Sequence, residues 1–321
     1  MQEILRIENL KVYYYLPQGI VKAVDDVSFN VYTDEVLGIA GESGSGKSTV
    51  AHAILRLVKP PGEIIGGRIL FKGRDLLKLS EDEMRALRGR EITLIFQDPS
   101  TYLNPVYTVG FQIGEVYEAH EKVKPKKAIH KVVDILRSVK IPDPTRRIYS
   151  YPHELSGGMK QRILISMGIA LTPTLIIADE PTSALDVTIQ AQIIELLDEM
   201  RREIRASMIF ITHDLHLLSE ISNRIMVMYA GKCVEIGETS KITSDPLHPY
   251  TKALMQLLRY PRKSKLQSLR GSPPSLINPP RGCRFHPRCL YSMDTCREYE
   301  PNIVNINGRT VSCFLYSGRY G

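Results

Sequence analysis

The chain has 321 residues, 43% of them hydrophobic and 24% charged, with a formal net charge of +7. That balance belongs to a folded chain with a full-sized core; it excludes disordered, collagen-like and disulfide-scaffold classes, and the length allows two domains or one large domain with an extension. No run approaches the ~18 consecutive apolar residues of a membrane-spanning helix, and the start MQEILRIENL lacks the basic and apolar regions of a signal peptide, so the chain is expected in the cytosol unless a partner holds it at a membrane.

Within residues 1–40, IENLKVYYY and VKAVDDVSFNV read as alternating strands. The apolar run Val36-Leu37-Gly38-Ile39-Ala40 suits a buried strand and leads into Gly41-Glu42-Ser43-Gly44-Ser45-Gly46-Lys47-Ser48-Thr49, which matches G-x-x-x-x-G-K-[ST]. Its glycines let the backbone turn its N–H groups inward, and the dipole of a helix starting near Lys47 attracts phosphate. In that motif Lys47 reaches the β- and γ-phosphates of a nucleotide and Ser48 ligates Mg²⁺. Val50, Ile54, Leu57 and Val58 then fall on one face of the expected helix.

Farther along, Gln97 follows the apolar run Ile92–Phe96, and residues from Asp98 to about Ser150 suit helices, with amphipathic sections around Gly114–Glu121 and Lys127–Val139. Leu175-Ile176-Ile177-Ala178-Asp179-Glu180 is a short apolar strand that delivers two carboxylates at its C-terminal end, where parallel α/β sheets place ligands. Asp179 suits Mg²⁺, generally through water, and Glu180 suits the water that attacks the γ-phosphate. From Val187 to Arg202, residues Ile189, Ile193, Leu196, Leu197 and Met200 share one face and read as core.

Three further stretches complete an ordered set. Leu155-Ser156-Gly157-Gly158-Met159-Lys160-Gln161-Arg162 lies about 110 residues after the Gly-rich loop, Ser183-Ala184-Leu185-Asp186 follows the acids, and His213 follows Met208–Thr212. With these in place the chain resembles the ATP-binding subunits of ATP-binding-cassette (ABC) transporters. The resemblance implies an α/β phosphate-loop cassette with a mixed core sheet, a helical signature subdomain at about 98–160 within a nucleotide-binding domain at 1–240, and a small Cys-rich extension at 241–321. It also implies that Ser156, Gly157 and Gly158 cap the γ-phosphate of ATP held by an opposite cassette, with Asp186 across that interface. Gln97 would see Mg²⁺ and the attacking water, and His213 the γ-phosphate. Tyr14 aligns with the aromatic that stacks on adenine, with Tyr13 and Tyr15 beside it leaving the register open by one. Two ATP molecules would lie between two cassettes, in a homodimer or a heterodimer with a sister ATPase.

The likeness narrows to the dipeptide and oligopeptide importers through VKAVDDVSF (21–29), FQDPSTYLNP (96–105), YPHELSGGMKQR (151–162), ADEPTSALDVTIQAQI (178–193), VMYAGKCVEIG (227–237), DPLHPYTKALM (245–255) and GSPPSLINPPRGCRFHPRC (271–289). Met159 replaces the glutamine of the general signature, which fits this branch, and Asp34 stands where a Gly before Glu35 is usual, a departure that bears on one turn. The branch implies two membrane permeases as partners, an extracytoplasmic solute-binding protein acting indirectly, and a place on the cytoplasmic face of the membrane. Its cargo is di- or oligopeptides, with oligosaccharide or nickel as the alternative within the branch. The other class is a soluble cassette ATPase acting on nucleic acid. Such relatives carry two cassettes or large insertions, which this sequence lacks, so no nucleic-acid partner is expected.

Residues 259–321 hold eleven Lys/Arg against three Asp/Glu, seven prolines and four cysteines, a composition shift that puts a boundary between Val234 and Arg259. Cys283, Cys289, Cys296 and Cys313 are spaced C-x5-C-x6-C-x16-C, which fits neither a zinc knuckle nor a ferredoxin run. A short Pro-rich segment buries little core and needs a staple. Spacing leaves a 4Fe-4S cluster, zinc with His286 as an alternate ligand, and free thiols all open; the resemblance favours the 4Fe-4S cluster in a structural role. Cys233 reads as a small core residue.

Overall fold

The computed structural model describes residues 2–124, 126–183, 185–259 and 271–317. The basic residues Arg262, Lys263, Lys265, Arg270 and Arg319 of the tail lie outside them. The chain forms two compact units, one of Met1–Lys78 with Phe210–Gly321 and one of Leu79–Ile209.

The first unit opens with two long antiparallel strands, β1 (Glu3–Leu16) and β2 (Gly19–Tyr32). Alternate positions such as Leu5, Ile7, Leu10 and Val12 are buried, as the period of two requires. At the end of β2 the chain turns through Asp34 at φ +59°, a conformation that Asp tolerates better than most residues, so the residue found in place of glycine keeps the turn. Then β3 (Val36–Ala40), buried along its length, delivers the Gly-rich loop, and α1 (Lys47–Ile54) begins at its lysine.

The apolar face expected to run to Val58 stops earlier. Arg56 takes φ +52°, its N–H donates to Ala53 O at 3.0 Å and Leu57 N–H to His52 O at 2.8 Å, a Schellman ending, with Pro60 and Pro61 beyond. Strands β4 (Gly62–Phe71) and β5 (Arg74–Asp75) complete a four-stranded sheet of order β2-β1-β4-β5.

In the second unit, β6 (Ile92–Ile95) pairs in parallel with β7 (Leu175–Asp179), Ile95 standing opposite Ala178. Between them come α2 (Val109–Glu121), α3 (Ile129–Ser138) and α4 (Gly157–Ile169). Helix α2 starts five residues before the amphipathic section, because the Thr108 side chain accepts the Phe111 N–H at 3.3 Å and caps it. After β7, α5 (Val187–Glu203) buries Ile193, Leu196, Leu197 and Met200.

The chain re-enters the first unit through β8 (Ser207–Ile211) and α6 (Leu215–Ile221). There β9 (Arg224–Tyr229) lies parallel to β3 and antiparallel to β10 (Lys232–Glu238), giving a mixed sheet. The tail stays with this unit: α7 (Pro249–Arg259) follows, and the hairpin β11 (Ile303–Ile306) and β12 (Arg309–Ser312) extends the sheet by pairing β12 with β10. No helix among the described residues is long and apolar enough to cross a membrane.

Candidate functional site

The Gly-rich loop folds as a tight cradle between β3 and α1. Gly46 caps the helix at φ +102°, and a Cβ there would lie 2.2 Å from Ala23 O; at Gly41, φ +153°, it would lie 2.3 Å from Met228 O. Only glycine fits either position. Lys47 is buried along its stem, and its Nζ donates to Gly41 O at 2.9 Å and Glu42 O at 3.1 Å, so the ammonium lies inside the loop. Gly231 N–H holds the Ser45 carbonyl at 2.9 Å, while the buried Ser45 Oγ has no hydrogen-bond partner among the described residues. Ser43 and Gly44 form the exposed tip, and Ser48 and Thr49 follow Lys47 in the first turn of α1. A glycine-rich turn, a lysine and an unpaired hydroxyl at a helix N-terminus suit an anion.

His213 belongs to the same unit. Thr212 N–H donates to Ile39 O at 3.3 Å, which brings the end of β8 beside β3 just before the loop. Asp214 accepts from His216 and Leu217 N–H at 2.9 and 3.2 Å and starts α6, leaving His213 exposed between strand and helix. Of the three tyrosines on β1, Tyr13 is engaged: its hydroxyl donates to Asp25 Oδ1 at 2.8 Å, and burial together with that bond pushes its pKa up to about 12. Tyr14 packs its ring on Gly62, where a Cβ would come within 2.5 Å of Tyr14 Cε1, and Tyr15 is exposed.

In the second unit the parallel register of β6 and β7 puts Gln97 and the acids at one end. Gln97 Nε2 donates to Glu180 Oε2 at 3.4 Å. Asp179 is the buried last residue of β7, and Glu180 takes φ +45°, a conformation that costs a non-glycine residue about 1–3 kcal/mol and is held where the surroundings over-determine it. Ser156 caps α4, its hydroxyl accepting from Met159 N–H at 3.3 Å, so Gly157 and Gly158 supply the first helical amides. A Cβ on Gly158 would meet Ile189 Cγ2 at 2.8 Å. Asp186 caps α5 through Ile189 N–H at 3.0 Å.

Residues 24–183 match the ABC transporter family and residues 234–296 match the oligopeptide/dipeptide transporter C-terminal region. The dipeptide transport ATP-binding protein DppD of Escherichia coli (strain K12) is 46% identical over 313 residues, covering 97% of this chain and 96% of that protein. The chain belongs to the ATP-binding subunits of ABC transporters. The oligopeptide transport ATP-binding protein OppD of Bacillus subtilis (strain 168) is also 46% identical, over 95% of this chain and 86% of that protein. Among solved structures, the dimeric post-hydrolysis ATP-binding cassette MJ0796 bound to ADP and Pi superposes with a TM-score of 0.65 at 25% identity, over 74% of this chain and 99% of that one. The cbiO1 subunit of Clostridium perfringens gives 0.62 at 28% identity, over 82% and 97%. The chain is therefore an ABC ATPase with the mixed sheet and helices of the cassette.

What reading the sequence missed is how this ABC subunit ties its tail to the loop. The Arg288 guanidinium holds the Glu42 carboxylate with both arms, at 2.7 and 3.0 Å, and Glu42 N–H donates to Tyr250 Oη at 3.0 Å. Arg284 pairs with Asp25 and donates to Ala230 O. The partners of the Arg288–Glu42 pair are 246 positions apart, so no local pattern announces them.

The four tail cysteines are free thiols that line one cavity with His248 and His286. Burial pushes Cys283 up to about 12 and Cys313 up to about 11, and Cys289 upward as well. Among the described residues, no group of three or more His, Cys, Asp or Glu stands close enough to hold a metal ion. The expected cluster or zinc site is thus not preformed, although its donors face one space. Cys233 lies on β10, its thiol raised to about 12 by burial.

Proposed function

We propose that this subunit hydrolyses ATP to energise import of di- or oligopeptides, working as one of two cassettes beneath two permeases on the cytoplasmic side of a membrane. The observation that carries the reading is that the likeness to dipeptide and oligopeptide ATP-binding proteins runs through the tail, at 46% identity over 97% of the chain. Tyr14 stacks on adenine, and the loop from Gly41 to Thr49, with Lys47, binds the phosphates. Ser48, Gln97 and Asp179 each carry an oxygen donor of the kind Mg²⁺ takes, and the ion would neutralise developing charge on the phosphoryl oxygens. Glu180 orients the attacking water, steadied by Gln97 at 3.4 Å, and His213 holds the γ-phosphate. Ser156, Gly157 and Gly158 offer their donors to nucleotide on a partner cassette, with Asp186 at that interface.

For the tail we infer a structural 4Fe-4S cluster ahead of zinc. Supporting it are four cysteines that line one apolar cavity. Protein purified without oxygen should absorb broadly near ~400 nm; a colourless protein carrying zinc would refute this part.

The transport reading is tested by detergent pull-down of the tagged chain from its native membrane with mass spectrometry. Two multi-span permeases and a second cassette ATPase are expected. Recovery of nucleic acid or ribosomal proteins alone would refute it.

A further inference from the structure

We propose that Arg288, supplied by the cysteine-rich tail, is a positioning residue for ATP binding: it neutralises the Glu42 carboxylate within the phosphate loop and fixes the Glu42 peptide that receives Lys47. The inference rests on the ATPase reading above. A carboxylate at the second position of a loop that must bind a polyanion is a poor neighbour for phosphate unless its charge is matched. Arg288 matches it with a two-armed contact at 2.7 and 3.0 Å, its own side chain 6% exposed against 26% for Glu42. Such fork-to-carboxylate pairing fixes direction as well as charge, which a lysine cannot reproduce.

The pair is anchored on both sides. Arg288 also donates to Tyr229 Oη at 3.3 Å and lies over the Tyr229 ring. Its N–H donates to Phe285 O at 3.0 Å, and Phe285 packs against Tyr229 and Tyr250 with ring centroids 5.1 and 5.4 Å away. On the loop side, the Glu42 N–H is taken by Tyr250 Oη and the Glu42 carbonyl accepts Lys47 Nζ at 3.1 Å. Side chain, N–H and carbonyl of one loop residue are thereby all committed, two of them to residues beyond position 249. The turn between Cys283 and Cys289 that presents Arg288 thus sets where the loop peptide and its lysine stand.

The test is equilibrium binding of ATP and of ADP to the full chain, wild type against Arg288→Ala, Arg288→Lys and Arg288→Ala/Glu42→Gln. Arg288→Ala should weaken ATP binding about tenfold, with a smaller loss for the less charged ADP. Arg288→Lys should fall between, and adding Glu42→Gln, which removes the exposed carboxylate, should recover most of the loss. A merely structural role would lower affinity for both nucleotides alike and would not be relieved by Glu42→Gln. That pattern, or an Arg288→Ala affinity within twofold of wild type, overturns the inference. If Arg288→Ala does not fold, wild-type ATP affinity in Arg288→Lys overturns it instead. A wild-type chain that binds no ATP would fail the ATPase reading itself, before Arg288 enters.

Discussion

Replacing Gly46 by alanine makes two demands on the phosphate loop at once. The residue sits at φ +102° and ψ 3°, a region that costs an alanine about 1–2 kcal/mol. Its new methyl would also lie 2.2 Å from the Ala23 carbonyl oxygen, main chain of β2 that no rotamer change can move aside. Overpacking of that kind costs about 1–3 kcal/mol, so the total is about 2–5 kcal/mol. Gly44 separates the two contributions: it shares a positive φ of +77°, yet nothing lies within 4 Å of where its Cβ would be. Gly44→Ala should therefore cost only the conformational part, about 1–2 kcal/mol. Urea unfolding of both variants, with ATP binding measured in parallel, reads the difference. Gly46→Ala should be the less stable by at least about 1 kcal/mol and the weaker binder. Equal losses for the two would refute the contact with the Ala23 carbonyl as a reason position 46 needs glycine.

Other expectations follow from the same geometry. Glu180→Gln should retain ATP binding and nearly abolish phosphate release, and wild-type hydrolysis would remove Glu180 from the role given to it. Lys47→Ala should weaken nucleotide binding itself, read by equilibrium titration, since its ammonium lies inside the loop; unchanged affinity would contradict the phosphate contact. Burial, reinforced by Arg90, lowers the pKa of His120 from its ordinary 6.5. The folded state then binds fewer protons than the unfolded one below that value, so this contribution is present above pH ~6.5 and lost as the pH falls through the lowered pKa. Thermal melts from pH 7.5 to 5 should show a shallower decline for His120→Gln than for wild type, and parallel curves would count against it.

Local patterns made much of this legible. The loop, the acid-bearing strand and the helix-capping Ser156 and Asp186 are specified by neighbours in sequence: the loop lies between β3 and α1, Asp179 ends β7, and Ser156 and Asp186 start α4 and α5. The limits were also physical. Leu57 and Val58 continue the apolar face of α1, yet the helix ends because Arg56 adopts a left-handed conformation that sequence rarely assigns to arginine. The start of α2 was hidden by Gly110, whose missing Cβ permits an approach to Ile148 O that would otherwise be 2.5 Å, although Thr108 carried the cap signal. The tie between Glu42 and Arg288 belongs to tertiary structure alone.

The most direct test of the central claim is phosphate release by the chain assembled with its permeases in proteoliposomes, with and without peptide-loaded solute-binding protein. The account predicts that peptide raises ATP hydrolysis and that Glu180→Gln removes the response. Hydrolysis indifferent to peptide but raised by an oligosaccharide-loaded binding protein would contradict it.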